Sequence, residues 1–490
     1  MLPRKGRAKR WILATGIPLA MIGHLAPQHF LSAPPPFLAA SEEYFSDQSE
    51  SSEESVSLHS EGVWDLESLQ ELARENNPTL QQAAASADMA RGLHRQAGLY
   101  PNPQLGYLRN DSDNSAGPRS KGVFIGQELV TSGKLKKAQA AESWEIELRN
   151  WNYQAQTRRI ENDVELRFWD ALAAQEVQTI LQRLRKLAER SLAIAERQKE
   201  GKLASKVDVL QARVQLKSVE LLEREAAARY EAAWKQLETV TGCPGLQSFP
   251  LKGELPEDFP ELDWSSSYQR LMQESPLIQA ARARSQHFQG QYSLEVANRV
   301  PNVNVQVVAD RDSNQKVSSV STLLSMPIPV RNRNQGNIQR AAAETREAAA
   351  EISRTELALR DQLAETFRRY QSAKAGIEVL HADVIPDAEE VLKLTITSYE
   401  SGEVGFLNVL TAQKTLVESR ITYIESQVEA ARAQTEINGL LLTGALNPAE
   451  LGTALQSQPG ASSRRAILNQ MEGGGGNGLL PAAVQTGGGP

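Results

Sequence analysis

Two periodicities of apolar residues divide the chain. Around residue 300, Val303, Val305 and Val307 alternate with Asn302, Asn304 and Gln306. A period of two predicts a β-strand with one apolar and one polar face. After a polar turn at 311–316, apolar residues that include Leu324 alternate with serines. We therefore predict a β-hairpin in which Val303, Val305, Val307 and Leu324 share one face, directed either to lipid or to the core of a soluble domain.

A weaker copy of this hairpin lies about 200 residues earlier in the chain. There, a polar loop at 111–118 separates two short alternations that contain Leu105, Tyr107, Val123 and Ile125. The two copies together predict four strands, and one helix is expected before each hairpin, beginning near Asp65 in the first half and near Trp264 in the second.

Long helical segments follow the hairpins, at 134–199 and at 336–399, and Gly376 and Pro386 are the main interruptions. At about 1.5 Å per residue, each helix would extend roughly 100 Å. Apolar residues with alternating spacings of three and four predict a coiled-coil seam in the first of them. These residues are Val177, Ile180, Leu184, Leu187, Ser191 and Ile194. A second seam after residue 410 indicates that each half ends in an antiparallel helical hairpin.

The two halves are a tandem duplication. Pro101 and Pro301 each begin a Pro-Asn strand entry, and Leu210 and Leu410 occupy matching positions in the helices, so both pairs are separated by 200 residues. This period is far longer than that of a solenoid unit. We predict a first repeat at 63–243, a connector at 244–263 and a second repeat at 264–452.

The two ends of the chain have other compositions. Residues 1–40 have a basic start and a short apolar run, which predict a signal peptide, with a membrane anchor as the alternative. Residues 41–62 are rich in Ser and Glu, and residues 453–490 are rich in Gly. Both segments are too polar to bury a core and are predicted to be disordered.

Composition and motifs exclude several classes of function. The net charge of −7 and the pI near 5.7 argue against a nucleic-acid partner. Cys243 is the single cysteine, so no intramolecular disulfide forms, and the six histidines are scattered. There is no nucleophile motif and no Walker sequence. We therefore expect no enzyme activity, no cofactor and no resident metal.

Closure of the sheet requires several chains. Four strands cannot form a barrel, and an open edge in a bilayer leaves backbone groups without hydrogen bonds. Barrels of about eight strands are filled by side chains, so an open pore requires more strands. Three chains would provide twelve.

At this point the sequence resembles the TolC-like outer-membrane efflux channels. The resemblance covers about residues 65–444 and rests on AGLYPNPQLGY at 97–107, LVTSGKLKKAQAA at 129–141, the stretch 384–413 and the two-fold repeat. It implies a mainly α chain with a β-barrel portion: a trimeric twelve-stranded barrel in the outer membrane, continued into the periplasm by an α-helical barrel. It also implies a homotrimer that docks on a periplasmic adaptor and an inner-membrane pump and carries small molecules or metal ions.

In this family the gate and the adaptor contact lie at the tips of the helical hairpins. They correspond here to Gly201, Leu203, Ser205 and Val207 and to Gly402, Val404, Gly405 and Phe406. These residues could instead serve only as turns. Leu203, Val404 and Phe406 are expected to be exposed, because apolar side chains at a loop tip have no core to fill. Lys393 and Glu400 are the only charges in the stretch before the second tip, so the acidic ring of some relatives is not expected.

Two other functions would use similar elements. A channel for type I protein secretion would have the same architecture. A coiled-coil envelope protein that transports nothing would explain the helices, but it would not explain two amphipathic hairpins at matched positions of the repeat.

Overall fold

The computed structural model describes residues 64–111, 119–201, 205–248, 250–313 and 316–447. The predicted signal peptide at 1–40, the Ser/Glu-rich segment at 41–62 and the Gly-rich tail at 453–490 lie outside these ranges. Among the helices in the described ranges, none combines the length and the apolar character needed to cross a membrane.

The same order of elements occurs in both halves. The first half contains α1 (Leu66–Asn76), α2 (Pro78–Ala97), β1 (Gln104–Asp111), β2 (Arg119–Leu129), α3 (Lys134–Glu200) and α4 (Lys206–Thr241). The second half contains α5 (Trp264–Glu274), α6 (Pro276–Ala297), β3 (Val303–Asp312), β4 (Ser318–Ser325), α7 (Gln335–Val379), a π-helical turn (Leu380–Val384), α8 (Ile385–Glu400) and α9 (Phe406–Asn438). The prediction of two hairpins and long paired helices is confirmed.

Where one helix was expected before each hairpin, the structure has two. Asp65 caps α1 by accepting a hydrogen bond from the N–H of Ser68 at 3.0 Å. At the end of α1, Asn77 caps α2 by accepting from the N–H of Thr79, and Pro78 follows as the first residue of α2. Proline has no N–H and disfavours helical backbone in the preceding residue. The chain therefore breaks at Asn77, and it breaks at Ser275 before Pro276 in the same way.

The second long helix is also interrupted, at the π-helical turn. Gly376 remains within α7, whereas Pro386 lies in the first turn of α8. The N–H of Ile385 bonds to the carbonyl of Leu380, five residues earlier. This wider turn accommodates the proline ring, and the corresponding region of α3 is a continuous helix of 67 residues.

The strands form one antiparallel sheet in the order β1-β2-β3-β4, so β1 and β4 are its edges. Near the sheet the helices pack in the order α2, α3, α6, α7, and near the hairpin tips they pack in the order α4, α3, α9, α8. The edge elements are therefore α2, β1 and α4 on one side and β4, α7 and α8 on the other.

The buried stripe of α3 is wider than the predicted seam. Leu184 and Ser191 of the seam are buried, but Leu181, Ala188 and Ala195 are buried as well. This difference arises because α3 packs against both α4 and α9, and one a/d stripe cannot face two helices.

Polar contacts attach the end of the second half to α3. Asn162 donates to the carbonyls of Gly439 at 2.9 Å and Leu442 at 2.6 Å. Asp163 accepts from the N–H groups of Gly444 and Ala445, at 3.1 and 2.7 Å. These contacts satisfy backbone groups that follow α9, where helical hydrogen bonds have ended.

Candidate functional site

The first hairpin tip joins α3 to α4. The N–H of Gly201 bonds to the carbonyl of Arg197 at 3.0 Å and ends α3. Ser205 begins α4 with a capping box, in which its hydroxyl accepts from the N–H of Asp208 and the Asp208 carboxylate accepts from the N–H of Ser205. Val207, in the first turn of α4, is 59% exposed. Leu203 lies outside the described residues.

The second tip joins α8 to α9. Gly402 has φ of +79°, a left-handed conformation that favours glycine. Gly405 precedes α9 with φ of −77°, which any residue adopts. A turn requirement therefore explains Gly402 but does not explain Gly405.

The two tips share a small apolar core. Phe406 is only 1% exposed and packs against Ala195 of α3, Val209 of α4 and Val409. Its ring centroid lies 5.4 Å from that of Tyr399. The expectation that Phe406 is exposed is therefore wrong: the neighbouring tip supplies the core that one tip alone lacks. Val404 is half-buried beside the same cluster.

Tyr399 links this core to the first tip. Its carbonyl accepts a hydrogen bond from Gln198 at 3.5 Å. Burial raises the pKa of the Tyr399 phenol, and the Asp208 carboxylate raises it further. Among the described residues, the buried Tyr399 hydroxyl has no hydrogen-bond partner.

Sequence reasoning missed the apolar side chain that is most exposed at the second tip. Leu407, next to Phe406, is 62% exposed. Successive residues of a helix point about 100° apart, so Phe406 and Leu407 cannot both face the tip core. The sequence contains a signal for this orientation, because Val409 lies three residues after Phe406 and therefore on the same face of the helix.

The strand register brings the predicted apolar residues to one face of the sheet. Residues paired across antiparallel strands share a face. Val305 pairs with Leu324, and Val307 pairs with Ile125, which pairs with Leu105. The large apolar residues of this face are Leu105, Tyr107, Val123, Ile125, Leu129, Val303, Val305, Val307, Val320 and Leu324, and Gln127 and Thr322 also lie on it. Most of its members are strongly exposed in the single chain, as Leu324 is at 68%.

The opposite, polar face carries Glu128, Asn304, Gln306, Asp310, Ser319, Ser321 and Ser325. The Asp310 carboxylate accepts from Ser319 at 2.5 Å, and the Glu128 carboxylate accepts from Asn302 at 2.7 Å. Phe124 and Leu323 also lie on this face, and the Phe124 ring lies over Gly106, where there is no side chain. Within the described strand residues, the polar face has carboxylates and no Lys or Arg.

No preformed metal centre is present in the part of the chain that the structure describes: no group of three or more His, Cys, Asp or Glu side chains is arranged to hold an ion.

Comparison with known proteins identifies the class to which this architecture belongs. The family model for outer membrane efflux proteins matches residues 69–243 and 267–441, one match in each half. The chain therefore belongs to the outer membrane efflux protein family, whose members are transport channels and not enzymes. It is an outer-membrane protein that extends into the periplasm.

Particular relatives agree with this assignment. The cobalt-zinc-cadmium resistance protein CzcC of Cupriavidus metallidurans is 27% identical over 384 residues, which cover 78% of this chain and 90% of CzcC. The outer-membrane channel OprN has a TM-score of 0.67 at 16% identity, covering 78% of this chain and 90% of OprN. CusC has a TM-score of 0.63 at 19% identity, covering 79% of this chain and 96% of CusC. At these identities the two structures show that the fold is shared.

Proposed function

We propose that three copies of this chain form the outer-membrane channel of a tripartite efflux system that passes divalent metal cations to the exterior. The observation that carries the cargo class is the polar face of the sheet, whose described strand residues include carboxylates such as Glu128 and Asp310 and no Lys or Arg, although Lys134 at the start of α3 lies near Glu128. A pore lined in this way concentrates cations and repels anions. The similarity to a cobalt-zinc-cadmium resistance protein supports the same class of cargo.

Assembly into a ring follows from the two unpaired edges of the chain. The sheet ends at β1 and β4, and near the tips the helix layer ends at α4 and α8. The outer side of α4 has an apolar stripe with spacings of three, four and seven residues. Its members are Val207, Leu210, Val214 and Leu221, and each is between 47% and 66% exposed. On the opposite side of α4, Val209, Ala212 and Val219 are buried within the chain. A helix with two apolar sides requires neighbours on both, and a second copy supplies the missing one.

In this assembly the apolar face of the sheet, including Val303, Val305, Val307 and Leu324, contacts outer-membrane lipid. The polar face then lines the pore. The tips dock on a periplasmic adaptor that connects the channel to an inner-membrane pump. Leu203 and Val404 belong to the docking surface, and Leu407 joins them in place of the buried Phe406. Val207, which sequence analysis grouped with them, belongs instead to the stripe that a second copy covers.

Arginine substitutions on the two faces test the membrane assignment. Val305→Arg should cost about 2–4 kcal/mol near the bilayer midplane and reduce the yield of membrane-inserted trimer. Asn304→Arg, the matched control, places the same charge on the polar face beside Glu128 and should preserve the yield. Equal yields from the two variants would contradict the assignment of the faces.

The cargo is tested separately in cells that lack their own channel. Restoring this chain should lower the accumulation of zinc, cobalt or cadmium, and the double variant Glu128→Lys with Asp310→Lys should restore less of the export at an equal amount of trimer. If this chain restored protein secretion and left metal accumulation unchanged, a type I secretion channel would be favoured instead.

A further inference from the structure

Near the sheet, the two halves of the chain meet where α6 packs on α3. The closest contact joins Gly290 to Ala141, since a Cβ built at Gly290 would lie 2.8 Å from the Ala141 Cα atom. Beside it, Nδ1 of His287 lies 3.0 Å from the Ala141 carbonyl oxygen. Gln291 donates a hydrogen bond to the Glu142 carboxylate at 3.3 Å. Any side chain at Gly290 would push the two helices apart, so this glycine sets how closely the halves approach.

The duplication places a glycine at the same position of α2. Pro78 begins α2 and Pro276 begins α6. Gly92 and Gly290 follow these prolines by the same number of residues. In α2, however, nothing in the described part of the chain lies within 4 Å of a Cβ built at Gly92. Glycine destabilises the interior of a helix relative to alanine, and the fold of a single chain does not explain why glycine stands here.

One side of α2 is buried like its counterpart in α6, and the other side is not. The shared buried positions are Leu80, Ala83 and Ala87 in α2 and Ile278, Ala281 and Ser285 in α6. On the side that faces α3 in α6, His287 corresponds to Met89, which is 65% exposed. Gln291 corresponds to Leu93, which is 57% exposed. Gly92 therefore lies between two exposed apolar side chains on the uncovered side of α2.

The counterpart of Ala141 lies on the uncovered side of α7. Ser132 and Asn334 precede the two long helices with φ of +59° and +60°. Ala141 and Ala343 follow them by the same number of residues, each within the sequence Ala-Ala-Glu. Ala343 is exposed, whereas Ala341, about 200° away around the helix, is buried. Ala343 therefore points away from the rest of the chain.

We propose that Gly92 of α2 packs on Ala343 of α7 in the next copy of the chain, so that the contact between copies repeats the contact between halves. The occupant is a second copy because α2 and α7 are the two edges of this helix layer, and each carries one side of a contact that the chain already makes internally. Such a head-to-tail contact is of the kind that closes a ring. The inference rests on the proposed ring of copies, and it adds the register in which neighbouring copies meet near the sheet.

Enlarging residue 92 in the full-length, detergent-purified protein tests this contact. Gly92→Leu should reduce the yield of trimer at least ten-fold, because the contact leaves no room for a side chain. The control Ala84→Leu adds the same side chain to another exposed position of α2, whose counterpart Arg282 stays exposed in α6. The control should assemble like the unsubstituted protein. Equal trimer yields from the two variants, measured by native mass spectrometry, would overturn the proposal.

Moving one methyl group between the helices tests whether Ala343 is the residue that Gly92 meets. Gly92→Ala should lower the trimer yield, and addition of Ala343→Gly should restore it because one methyl group again separates the helices. Addition of Ala349→Gly, an exposed position on a different side of α7, should not restore it. Restoration by both additions, or by neither, would overturn the proposal. An unsubstituted protein that forms no trimer would refute the ring itself, whereas a trimer that is indifferent to residue 92 would refute only this contact.

Discussion

Phe406 and Leu407 offer the sharpest test of how the tips are built. They are consecutive residues of α9, yet Phe406 is 1% exposed and Leu407 is 62% exposed. Phe406→Ala removes a ring that packs on Tyr399, Val209 and Val409. Truncation of a buried phenylalanine typically costs about 3–5 kcal/mol. Leu407→Ala removes an exposed side chain, for which a change within about 0.5 kcal/mol is expected.

The loss should be local because the tip core is small and lies at the end of the helices. Hydrogen exchange of the amides in residues 396–412 measures the free energy of local opening. A loss of about 3 kcal/mol corresponds to roughly 100-fold faster exchange, since every 1.4 kcal/mol is a factor of ten. Leu407→Ala should exchange like the unsubstituted protein. Similar exchange in the two variants would show that Phe406 does not hold the tips together.

The same pair of residues separates docking from folding. An aspartate at Phe406 would bury a carboxylate in the tip core, so a loss of export would not identify a docking surface. Leu407→Asp leaves that core intact and should weaken crosslinking to the adaptor and metal export, with unchanged tip exchange and trimer yield. Normal export by this variant would exclude Leu407 from the docking surface.

Two further predictions concern the junction between α3 and the end of α9. A Cβ at Gly439 would lie 2.1 Å from the side-chain amide nitrogen of Asn162. Gly439→Ala should therefore lower the unfolding free energy by about 1–3 kcal/mol. The control Gly405→Ala, which has open space around it, should have little effect in the same thermal melts. Burial raises the pKa of Asp163, although the N–H groups of Ala445 and Gly444 lower it. A raised folded-state pKa contributes stability that is present below the unfolded pKa of about 3.9 and is lost as pH rises through the folded pKa. The unfolding free energy of Asp163→Asn, measured in urea at several pH values above 4, should therefore increase relative to that of the unsubstituted protein as pH rises. A difference that stays constant with pH would contradict this.

The strands could be predicted because their signal is local. The alternation of Val303, Val305 and Val307 with polar residues is visible within one strand, and β3 begins at Val303. The register between strands depends on neighbours far along the chain, since Val305 pairs with Gln127 as well as Leu324. The sequence alone therefore could not show that Arg109, Lys121 and Arg311 are neighbours on three strands, because only that register brings them together.

The tip core could not be predicted for a related reason. Phe406 looks like an exposed residue at a loop, because the residues that bury it, Ala195 and Val209, are about 200 positions away in the other repeat. The duplication predicts two tips, but it does not by itself place one against the other. The π-helical turn before Pro386 could not be predicted either, because residue propensity alone predicts that a proline breaks the helix. In the structure this turn keeps α7 and α8 continuous around Pro386.

The order of helices also distinguishes the apolar residues of the tips that are available to an adaptor. Near the tips, α4 is an edge helix and α9 is an internal one, because α9 lies between α3 and α8. In a closed ring of copies, the α8 side of the next chain covers the stripe that begins at Val207 on α4. The exposure of this stripe in the single chain therefore marks the contact between subunits. Leu407 projects from an internal helix, and closure of the ring leaves it uncovered. A charged substitution at Val214 should consequently reduce assembly of the ring, whereas a charged substitution at Leu407 should reduce only the binding of the adaptor to the assembled ring.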